Sequence, residues 1–413
     1  MNISVIGLGF VGLTAALGFA DKGFNVYGFD IDSNRTIEIK KGIIPFFEPG
    51  LNEALNRTLY KNFSITSTVK EAVKDADIVF FCVGTPCGDD GKADLKYLLS
   101  AIDSIINDVP ETCIFILKST VPPGTTQNII QKYVKDKRNT LLVANNPEFL
   151  REGYCWDDFM KPDRIVCGCN ENDISVISAL RSLYTPFNAP IHFVSLNTAE
   201  FIKYLSNSLL ASLISFSNEM ALIADAAGDI NIAKAFKILH QDKRINGSGI
   251  RHYIYPGCGY GGYCLPKDTA ALSANAKAND YLPDILNSVI SLNYKMPSLT
   301  AEKIKQKVGD KNKKIGILGL SFKPNSDDVR DSPAAKIISI LLEDEYKNIY
   351  AYDPEAINNF KQVYKININY SISKEDVCDT CDSIAIITTW SEFKDIDKIF
   401  PNKQFIDCRY FLD

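Results

Sequence analysis

The sequence predicts an α/β protein with two doubly wound parallel sheets, joined by a long central helix and a helical domain. Short apolar runs at 2–6, 77–86, 113–125 and 141–149 end in glycine, proline, threonine or asparagine, which is typical of buried parallel strands. The run 196–228 has no proline and no glycine before its last residue, which predicts a helix of about nine turns. Residues 314–390 then repeat the N-terminal strand, glycine turn, helix and strand, which indicates a second, smaller Rossmann-like unit.

Three domains follow from this order of elements. We expect an N-terminal Rossmann domain at 1–195, a central helical domain at 196–300 and a C-terminal Rossmann-like domain at 301–413. A chain of 413 residues is long enough for two or three cores. In doubly wound sheets, ligands bind at the carboxyl ends of the strands. The polar clusters that end the apolar runs are therefore candidate site residues.

Composition indicates which binding partners and which cellular compartment to expect for the protein. The net charge of -5 attracts neither nucleic acid nor an anionic membrane. The N-terminus has no basic leader with a cleavage site, and no uninterrupted apolar run is long enough to span a bilayer. Eleven cysteines without framework spacing fit free thiols in the cytoplasm. The pair Cys378 and Cys381 lacks the further cysteines or histidines of a zinc site, so no metal is expected.

A dinucleotide site is predicted at the start of the chain. Gly7, Gly9 and Gly12 form a G-x-G-x-x-G turn between a strand and a helix, where backbone approaches a pyrophosphate. Asp30 ends the next strand and can bind the ribose hydroxyls, which favours NAD over NADP. The nearby Arg35 weakens that preference slightly.

The long helix carries a polar pair on an apolar face. Lys203 and Asn207 are four residues apart. At 100° per residue, five apolar residues lie within about 40° of Lys203: Leu196, Ala199, Leu210, Ile214 and Ala221. Either this lysine extends to solvent at the edge of the stripe, or it is a buried ammonium that stabilises a reacting oxygen. The helix alone does not decide between them.

The segment 257–269, "GCGYGGYCLPKDT", is the second candidate site. Glycines before Cys264 permit close backbone approach to a ligand. A cysteine nucleophile needs a nearby positive charge, for which Lys203 is a candidate, and a later hydrolysis needs a base, for which Asp268 is a candidate. A nicotinamide fold with a nucleophilic cysteine suggests oxidation through a thiohemiacetal and a thioester to an acid.

Over essentially its whole length the chain resembles the UDP-glucose/GDP-mannose dehydrogenase family of four-electron nucleotide-sugar oxidases. The motifs that carry the resemblance are "GLGFVG", "PFFEPGL", "FCVGTP", "STVPPGT", "NPEFLREG", "PDRIVCG", "AEFIKYLSNSLLASLISFSNE", "GYGGYCLPKD" and "SFKPNSDDVRDSP". The resemblance implies that Cys264 is the nucleophile and that Lys203, Asn207 and Asp268 stabilise oxyanions and handle protons and water. It also implies that Thr120 and Glu148 hold the catalytic water, with Glu148 as candidate base.

The resemblance also implies the residues that contact the two ligands. The NAD contacts are Gly7, Gly9, Phe10, Val11, Gly12, Asp30, Arg35, Val83, Gly84, Thr85, Pro86, Ser119, Thr120, Glu152 and Arg330. The nucleotide-sugar contacts are Phe149, Leu150, Arg151, Lys203, Asn207, Arg244, Tyr253, Tyr255, Gly257, Gly259, Phe322 and Lys323.

One arginine is assigned less directly. The family places an arginine in a "DKRI"-like motif that reaches the sugar across a subunit interface, and Arg244 fits this motif. The following segment is a few residues longer than expected, so Arg251 can share or take the role. Arg409 is a candidate substrate arginine near the C-terminus.

The expected activity is NAD-dependent oxidation of UDP-glucose to UDP-glucuronate. A GDP-mannose dehydrogenase remains the nearest alternative. A non-catalytic nucleotide-sugar binding protein and a two-electron β-hydroxyacid dehydrogenase are the alternatives from other classes. The large apolar surface of the long helix suggests a homodimer.

Overall fold

The computed structural model describes residues 1–88, 90–247 and 249–412. The chain divides into two compact units, Met1–Leu205 and Ser206–Asp413. One helix, Leu196–Ala227, runs through the division between them.

The first unit is built on an eight-stranded sheet. Its strand order is β3-β2-β1-β4-β5-β6-β7-β8, and every neighbouring pair is parallel except β6 and β7. The first six strands have the 3-2-1-4-5-6 order of a dinucleotide-binding sheet. The strands are β1 Asn2–Ile6, β2 Asn25–Phe29, β3 Phe63–Ile65, β4 Ile78–Phe81, β5 Ile114–Leu117, β6 Leu142–Asn145, β7 Ile165–Gly168 and β8 Ile191–Val194.

The central strands β4 and β5 are apolar and buried at every position. Both faces of the sheet must therefore be covered, and helices cover them. The helices are α1 Phe10–Asp21, α2 Ser33–Lys40, α3 Leu51–Thr58, α4 Val69–Val73, α5 Lys96–Ile105, α6 Gln131–Lys137, α7 Cys155–Met160 and α8 Ile174–Tyr184. A π-helical turn, Thr126–Ile130, leads directly into α6.

The long helix α9 is Leu196–Ala227, 32 residues, which confirms the predicted element of about nine turns. By length and composition it could cross a membrane. A long core helix passes the same test, and α9 carries buried Glu200, Lys203 and Asn207, each bonded to other side chains of the protein.

The second unit begins with helices and ends in a five-stranded parallel sheet of order β11-β10-β9-β12-β13. The second Rossmann-like sheet is therefore confirmed. Helix α12, Asp284–Val308, runs across the predicted domain boundary at residue 300. The helical and C-terminal parts therefore share this helix, and the three-domain division stays a prediction. The helices are α10 Ile232–Leu239, α11 Cys264–Ala278, α12 Asp284–Val308, α13 Pro333–Glu343, α14 Ile357–Tyr364, α15 Lys374–Thr380 and α16 Ile396–Ile399; the strands are β9 Ile315–Leu318, β10 Ile349–Tyr352, β11 Asn369–Tyr370, β12 Ser383–Ile386 and β13 Gln404–Asp407.

The two units have the same glycine turn at the end of their first strand. Gly7 follows β1 and Gly319 follows β9, with φ values of 92° and 96° that favour glycine. After each glycine, a backbone N–H donates to an aspartate that ends the next strand: Leu8 to Asp30 at 2.6 Å, and Leu320 to Asp353 at 2.7 Å.

The glycine turn of the second unit allows a test with a matched control. A Cβ at Gly319 would lie 2.4 Å from the Cβ of Thr388, whereas a Cβ at Gly309, also at positive φ, would meet nothing within 4 Å. We expect Gly319→Ala to lower the free energy of unfolding by roughly 2–4 kcal/mol and Gly309→Ala by about 1 kcal/mol. Urea titration measures both, and equal losses would contradict the packing described for Gly319.

Candidate active site

The N-terminal glycine turn has the shape of a phosphate cradle. A Cβ at Gly12 would lie 1.8 Å from the carbonyl oxygen of Gly7, so only glycine lets α1 approach β1 this closely. At Gly9 nothing lies within 4 Å of the same position. Open space at the N-terminus of a 12-residue helix fits a pyrophosphate. The residues present therefore fit a bound dinucleotide.

Asp30 is held by the glycine turn that it supports. Its Oδ2 accepts from the Leu8 N–H at 2.6 Å and from Arg35 at 3.0 Å, and its Oδ1 accepts from the Asp32 N–H. Asp30 is 8% exposed, whereas the side chain of Arg35 is one-third exposed. The carboxylate is oriented before any ribose arrives, with a cation beside it.

The loops after β4 and β5 are tied to one another. Thr85 donates through Oγ1 to the carbonyl of Thr120 at 2.7 Å, and Ser119 donates to the carbonyl of Val83 at 2.6 Å. These loops contain Gly84, Pro86 and the other strand-end residues assigned to the cofactor. The structure thus brings this part of the predicted NAD site together at the carboxyl ends of adjacent strands.

Glu200 on α9 holds the far end of the loop after β5. One carboxylate oxygen accepts from the Gly124 N–H at 2.7 Å, and the other accepts from the N–H and Oγ1 of Thr126 at 2.7 and 2.5 Å. Burial raises the pKa of the Glu200 carboxyl to about 7, although these donors act to lower it. Sequence reasoning missed this residue, although an acid on the apolar stripe of Lys203 was a visible signal.

Lys203 is buried rather than extended to solvent. Its Nζ lies 2.8 Å from Oε1 of Glu148, and the two side chains are 5% and 7% exposed. Glu148 also accepts from the Leu150 N–H at 2.6 Å. Burial alone would raise the pKa of Glu148, but Lys203 and these hydrogen bonds hold it below its usual value. A buried lysine and an ionised carboxylate therefore stand together at the end of β6.

A second buried lysine lies near the pair of Lys203 and Glu148. Lys118 is 4% exposed and donates to Oδ1 of Asn146 at 2.8 Å. Its ammonium also lies 5.9 Å and 5.8 Å from the ring centroids of Phe80 and Phe159. No carboxylate among the described residues forms an ion pair with it, and burial lowers its pKa. This lysine was not predicted as part of the site.

The loop 149–153, whose first three residues are assigned to the nucleotide sugar, is fixed at its C-terminal end. Glu48 accepts from the Gly153 and Cys155 N–H groups at 2.7 Å each. Arg151 forms a two-pronged ion pair with Asp158. The "PFFEPGL" motif thus has a structural task, which is to hold this loop through Glu48. Phe149, Leu150 and Glu152 lie in the same loop.

In the second unit, Cys264 is the first residue of α11, where backbone N–H groups favour a thiolate. The glycines before it are packed against the unit's own chain. A Cβ at Gly261 would lie 2.3 Å from the Asp331 carbonyl, and one at Gly262 would lie 2.8 Å from the Phe322 ring. At these two positions the close approach is therefore to protein, whereas the sequence suggested approach to a ligand.

Asp268 is fully buried one helical turn after Cys264. Asn207 donates to one of its oxygens at 2.5 Å, and Lys267 donates to the other at 2.5 Å. Burial lowers the pKa of Lys267, but the charges of Asp268 and Cys264 raise it above its usual value. The positive charge near the cysteine within this unit is therefore Lys267, which the sequence analysis left without a role.

The remaining predicted contacts of this unit range from exposed arginines to the buried Gly259. Arg330 is exposed, pairs with Asp328 and lies 4.6 Å from the Tyr263 ring centroid, while Arg244 is exposed and pairs with Asp242. The side chains of Lys323 and Phe322 contact each other, and Tyr253, Gly257 and Gly259 belong to the loop before Cys264. Arg251 is also exposed.

A basic cavity of about 310 Å³ lies beside the loop before Cys264. Tyr255 lines it and donates to the Tyr410 carbonyl at 2.7 Å. Lys237, Lys394 and Arg409 contribute three cations and Asp395 one anion, so the lining carries a net positive charge. The Nε of Arg409 is buried without a hydrogen-bond partner among the described residues. Buried donors are normally satisfied, so this cavity fits an anionic ligand.

Family models match the chain in three consecutive stretches. The NAD binding domain of the UDP-glucose/GDP-mannose dehydrogenase family matches residues 1–188, its central domain 197–295 and its UDP binding domain 316–413. The chain belongs to this family. It is therefore an NAD-dependent oxidoreductase, as the sequence motifs predicted.

Individual members of the UDP-glucose/GDP-mannose dehydrogenase family are similar over the full chain. A UDP-glucose 6-dehydrogenase of Rickettsia bellii is 40% identical over 404 residues, 96% of this chain and 91% of the relative. A UDP-glucose dehydrogenase structure from Pyrobaculum islandicum has a TM-score of 0.92 at 35% identity, with 99% and 94% of the chains covered. A UDP-D-ManNAc dehydrogenase structure from Pyrococcus horikoshii has a TM-score of 0.86 at 28% identity, with 100% and 96% covered.

Metal ligands and disulfides are not part of the described site. No group of three or more His, Cys, Asp or Glu side chains among residues 1–88, 90–247 and 249–412 could hold a metal ion. All eleven cysteines are free thiols, and Cys378 and Cys381 are both buried.

The buried ion pair gives a prediction for stability. Lys203→Met leaves Glu148 charged and buried, so we expect it to lower the free energy of unfolding by about 3–5 kcal/mol. Adding Glu148→Gln removes the stranded charge and should recover part of that loss. The pair of Arg151 and Asp158, in which the arginine side chain is half exposed, is the control, since Arg151→Met should cost about 1 kcal/mol or less. Denaturant unfolding measures all variants, and a double variant less stable than Lys203→Met would contradict the pairing.

Proposed function

We propose that the protein oxidises C6 of UDP-glucose to the carboxylate of UDP-glucuronate, with two NAD⁺ per substrate. The observation that carries this is the cluster at the start of α11, where Cys264 is followed one turn later by buried Asp268 with Lys267 and Asn207 as donors. A binding protein has no need of a nucleophile next to a buried, paired carboxylate.

The proposed reaction begins with oxidation of the C6 hydroxyl to an aldehyde. Bound NAD⁺ supplies the chemistry of hydride acceptance, and the hydroxyl proton leaves to a protein base or water. Lys203 stabilises the oxygen as negative charge develops on it, because a buried ammonium acts strongly where water is excluded. Asn207 and Asp268 hold a proton or a water near the same oxygen.

Cys264 then adds to the aldehyde carbon as a thiolate, and the carbonyl oxygen takes a proton, which gives a thiohemiacetal. Lys267 supplies positive charge that favours the thiolate. Loss of a second hydride, for which a second NAD⁺ would be the acceptor, and of the hydroxyl proton to a protein base or water leaves a thioester. The carbon stays bound to the protein between the two oxidations, so the aldehyde is not released.

Hydrolysis of the thioester completes the proposed cycle. Water adds to the carbonyl carbon, the bond to the Cys264 sulfur breaks and the carboxylate leaves. Glu148 is the proposed base, assisted by Thr120, because it is ionised at neutral pH and can therefore accept a proton from water. The overall balance is one alcohol, two NAD⁺ and one water giving one carboxylate, two NADH and three protons.

The cations of the second unit support a nucleotide diphosphate as the anchor of the sugar. Arg409 has a buried donor without a partner at the basic cavity, and Lys237 and Lys394 line the same space. Lys323, Phe322 and the loop of Tyr253 to Gly259 are the proposed neighbours of the nucleotide sugar. Arg244 or Arg251 is the proposed arginine from a partner subunit.

UDP-glucose is preferred among the nucleotide sugars for two reasons. The segment "GYGGYCLPKDT" is most like the UDP-glucose branch. The UDP-glucose dehydrogenase structure also superposes better than the UDP-D-ManNAc dehydrogenase structure, with TM-scores of 0.92 and 0.86. GDP-mannose is the alternative substrate. A two-electron hydroxyacid dehydrogenase is disfavoured, since it has no use for a second Rossmann-like unit or for Cys264.

Purified protein with NAD⁺ and a panel of UDP- and GDP-hexoses tests the activity. UDP-glucose should give the highest kcat/KM for NADH formation, and no NADH with any hexose would reject the proposal. Cys264→Ser should lower kcat by about 10³-fold or more while NAD⁺ affinity stays within about twofold, because the serine hydroxyl is a far weaker nucleophile. Wild-type turnover in that variant would reject the covalent mechanism.

We also propose that the protein forms a homodimer through α9. We further propose that it acts in the cytoplasm and that its product is used for polysaccharide synthesis. Apolar side chains along α9 are about half exposed and lie within roughly 80° of arc at 100° per residue; they are Phe201, Leu205, Leu209, Phe216 and Ile223. Such a stripe on a water-exposed helix marks an interaction surface, and a second copy offers the matching stripe.

Sedimentation decides the oligomeric state. The wild type should sediment as twice the 45.9 kDa chain, and Leu209→Glu with Phe216→Glu should shift it towards the monomer. Asp225→Asn, at an exposed position on the opposite side of the same helix, is the control. A monomeric wild type, or a double variant that stays dimeric, would contradict the proposed interface.

A further inference from the structure

We propose that Glu200 is a positioning residue for the cofactor half of the site, which rests on the proposed function. It fixes the loop Ser119 to Thr125, called here the 119–125 loop, against the helix that carries Lys203. The proposal concerns only residues of the first unit. Its effect is to set Thr120 in place for the cofactor and the catalytic water.

The first support is the number and the direction of the hydrogen bonds. Both oxygens of Glu200 are used, by the Gly124 N–H, the Thr126 N–H and the Thr126 hydroxyl, at 2.5–2.7 Å. Glu200 is 1% exposed, so water does not compete for these donors. Burial raises the pKa of the Glu200 carboxyl to about 7, so the carboxyl is ionised above that pH. Bonds to a charged acceptor in a dry environment are about twice as strong as neutral ones.

The second support is that the 119–125 loop is held at both ends. At its start, Ser119 donates to the Val83 carbonyl, and the Thr120 carbonyl accepts from Thr85. At its end, Glu200 accepts hydrogen bonds from the N–H groups of Gly124 and Thr126, on either side of Thr125. The side chain of Thr125 itself makes no capping bond to the helical turn that follows. Thr120 therefore sits between an anchor on the β4 loop and an anchor on α9.

The third support is the place of Glu200 on α9. It lies three residues before Lys203, so the two side chains share one face of the helix. Lys203 pairs with Glu148 at the end of β6, while Glu200 holds the loop after β5. One helical turn thus connects the ends of two adjacent strands. A local capping residue would satisfy the same N–H groups without making that connection.

Replacing the carboxylate has a defined geometric effect. In Glu200→Gln one oxygen becomes an NH₂ group, which then faces either the Gly124 N–H or the two donors of Thr126. Two donors facing each other in a buried site leave at least one unsatisfied, which costs free energy. The loop end shifts, and Thr120 shifts with it. Thr126→Val removes only the hydroxyl donor, so its effect should be smaller.

The test compares Glu200→Gln, Thr126→Val, the double variant and the control Glu219→Gln in the full-length protein. Calorimetric titration with NAD⁺ alone gives Kd, and steady-state assays give KM for each substrate. We expect Glu200→Gln to raise Kd and KM for NAD⁺ by about fivefold or more, the equivalent of about one hydrogen bond. KM for the sugar nucleotide should stay within about twofold of the wild-type value. In the double variant, the effects of Glu200→Gln and Thr126→Val on Kd for NAD⁺ should be non-additive.

A purely structural role predicts another pattern. Glu200→Gln would then lower the midpoint of thermal unfolding and leave Kd for NAD⁺ within about twofold of the wild type, which would overturn the proposal. Equal increases in KM for both substrates would also overturn it. Because NAD⁺ binding is measured without sugar, a wild type that binds NAD⁺ but oxidises no hexose would reject the proposed function and still decide the role of Glu200.

Discussion

The buried ion pair between Lys203 and Glu148 is the interaction on which the candidate site depends. Two opposite charges, each almost removed from solvent, stabilise one another only when they stay in contact. Their contact fixes helix α9 against the end of β6, and Glu200 fixes the same helix against the loop after β5. The sheet therefore positions the chemistry through charged side chains of one helix, at the strand ends where doubly wound folds bind their ligands.

The same backbone turn serves two purposes in the two Rossmann-like units. Asp30 accepts from a backbone N–H, and the cation of Arg35 lies beside it, where the ribose of NAD is predicted to bind. Asp353, its counterpart, accepts from the Leu320 N–H in the same way, and also from the backbone and hydroxyl of Ser321 and from Trp390. Surrounded by these donors, Asp353 has a structural task. A shared fold thus supports a cofactor site in one unit and a packed turn in the other.

The sequence predicted the features that depend on short-range pattern. The glycine turn and the long helix follow from spacing and helical periodicity, and the structure has both of them. The helix pattern left two alternatives open for Lys203, and the structure shows that its side chain is buried. The sequence did not predict the partners of Glu200, because they lie 74 and 76 residues away in the chain. It also gave the glycine at 262 a ligand-facing role, whereas the side chain of Phe322 occupies that space. Contacts between distant segments carry no local signature.

The central claim is that one carbon is oxidised twice without leaving the protein, on Cys264. Measuring NADH formed against UDP-glucose consumed, with a limiting amount of the sugar and excess NAD⁺, tests it most directly. The account predicts two NADH for each UDP-glucose, with UDP-glucuronate as the product and no free aldehyde at any time. One NADH for each sugar, with the aldehyde accumulating in solution, would contradict it.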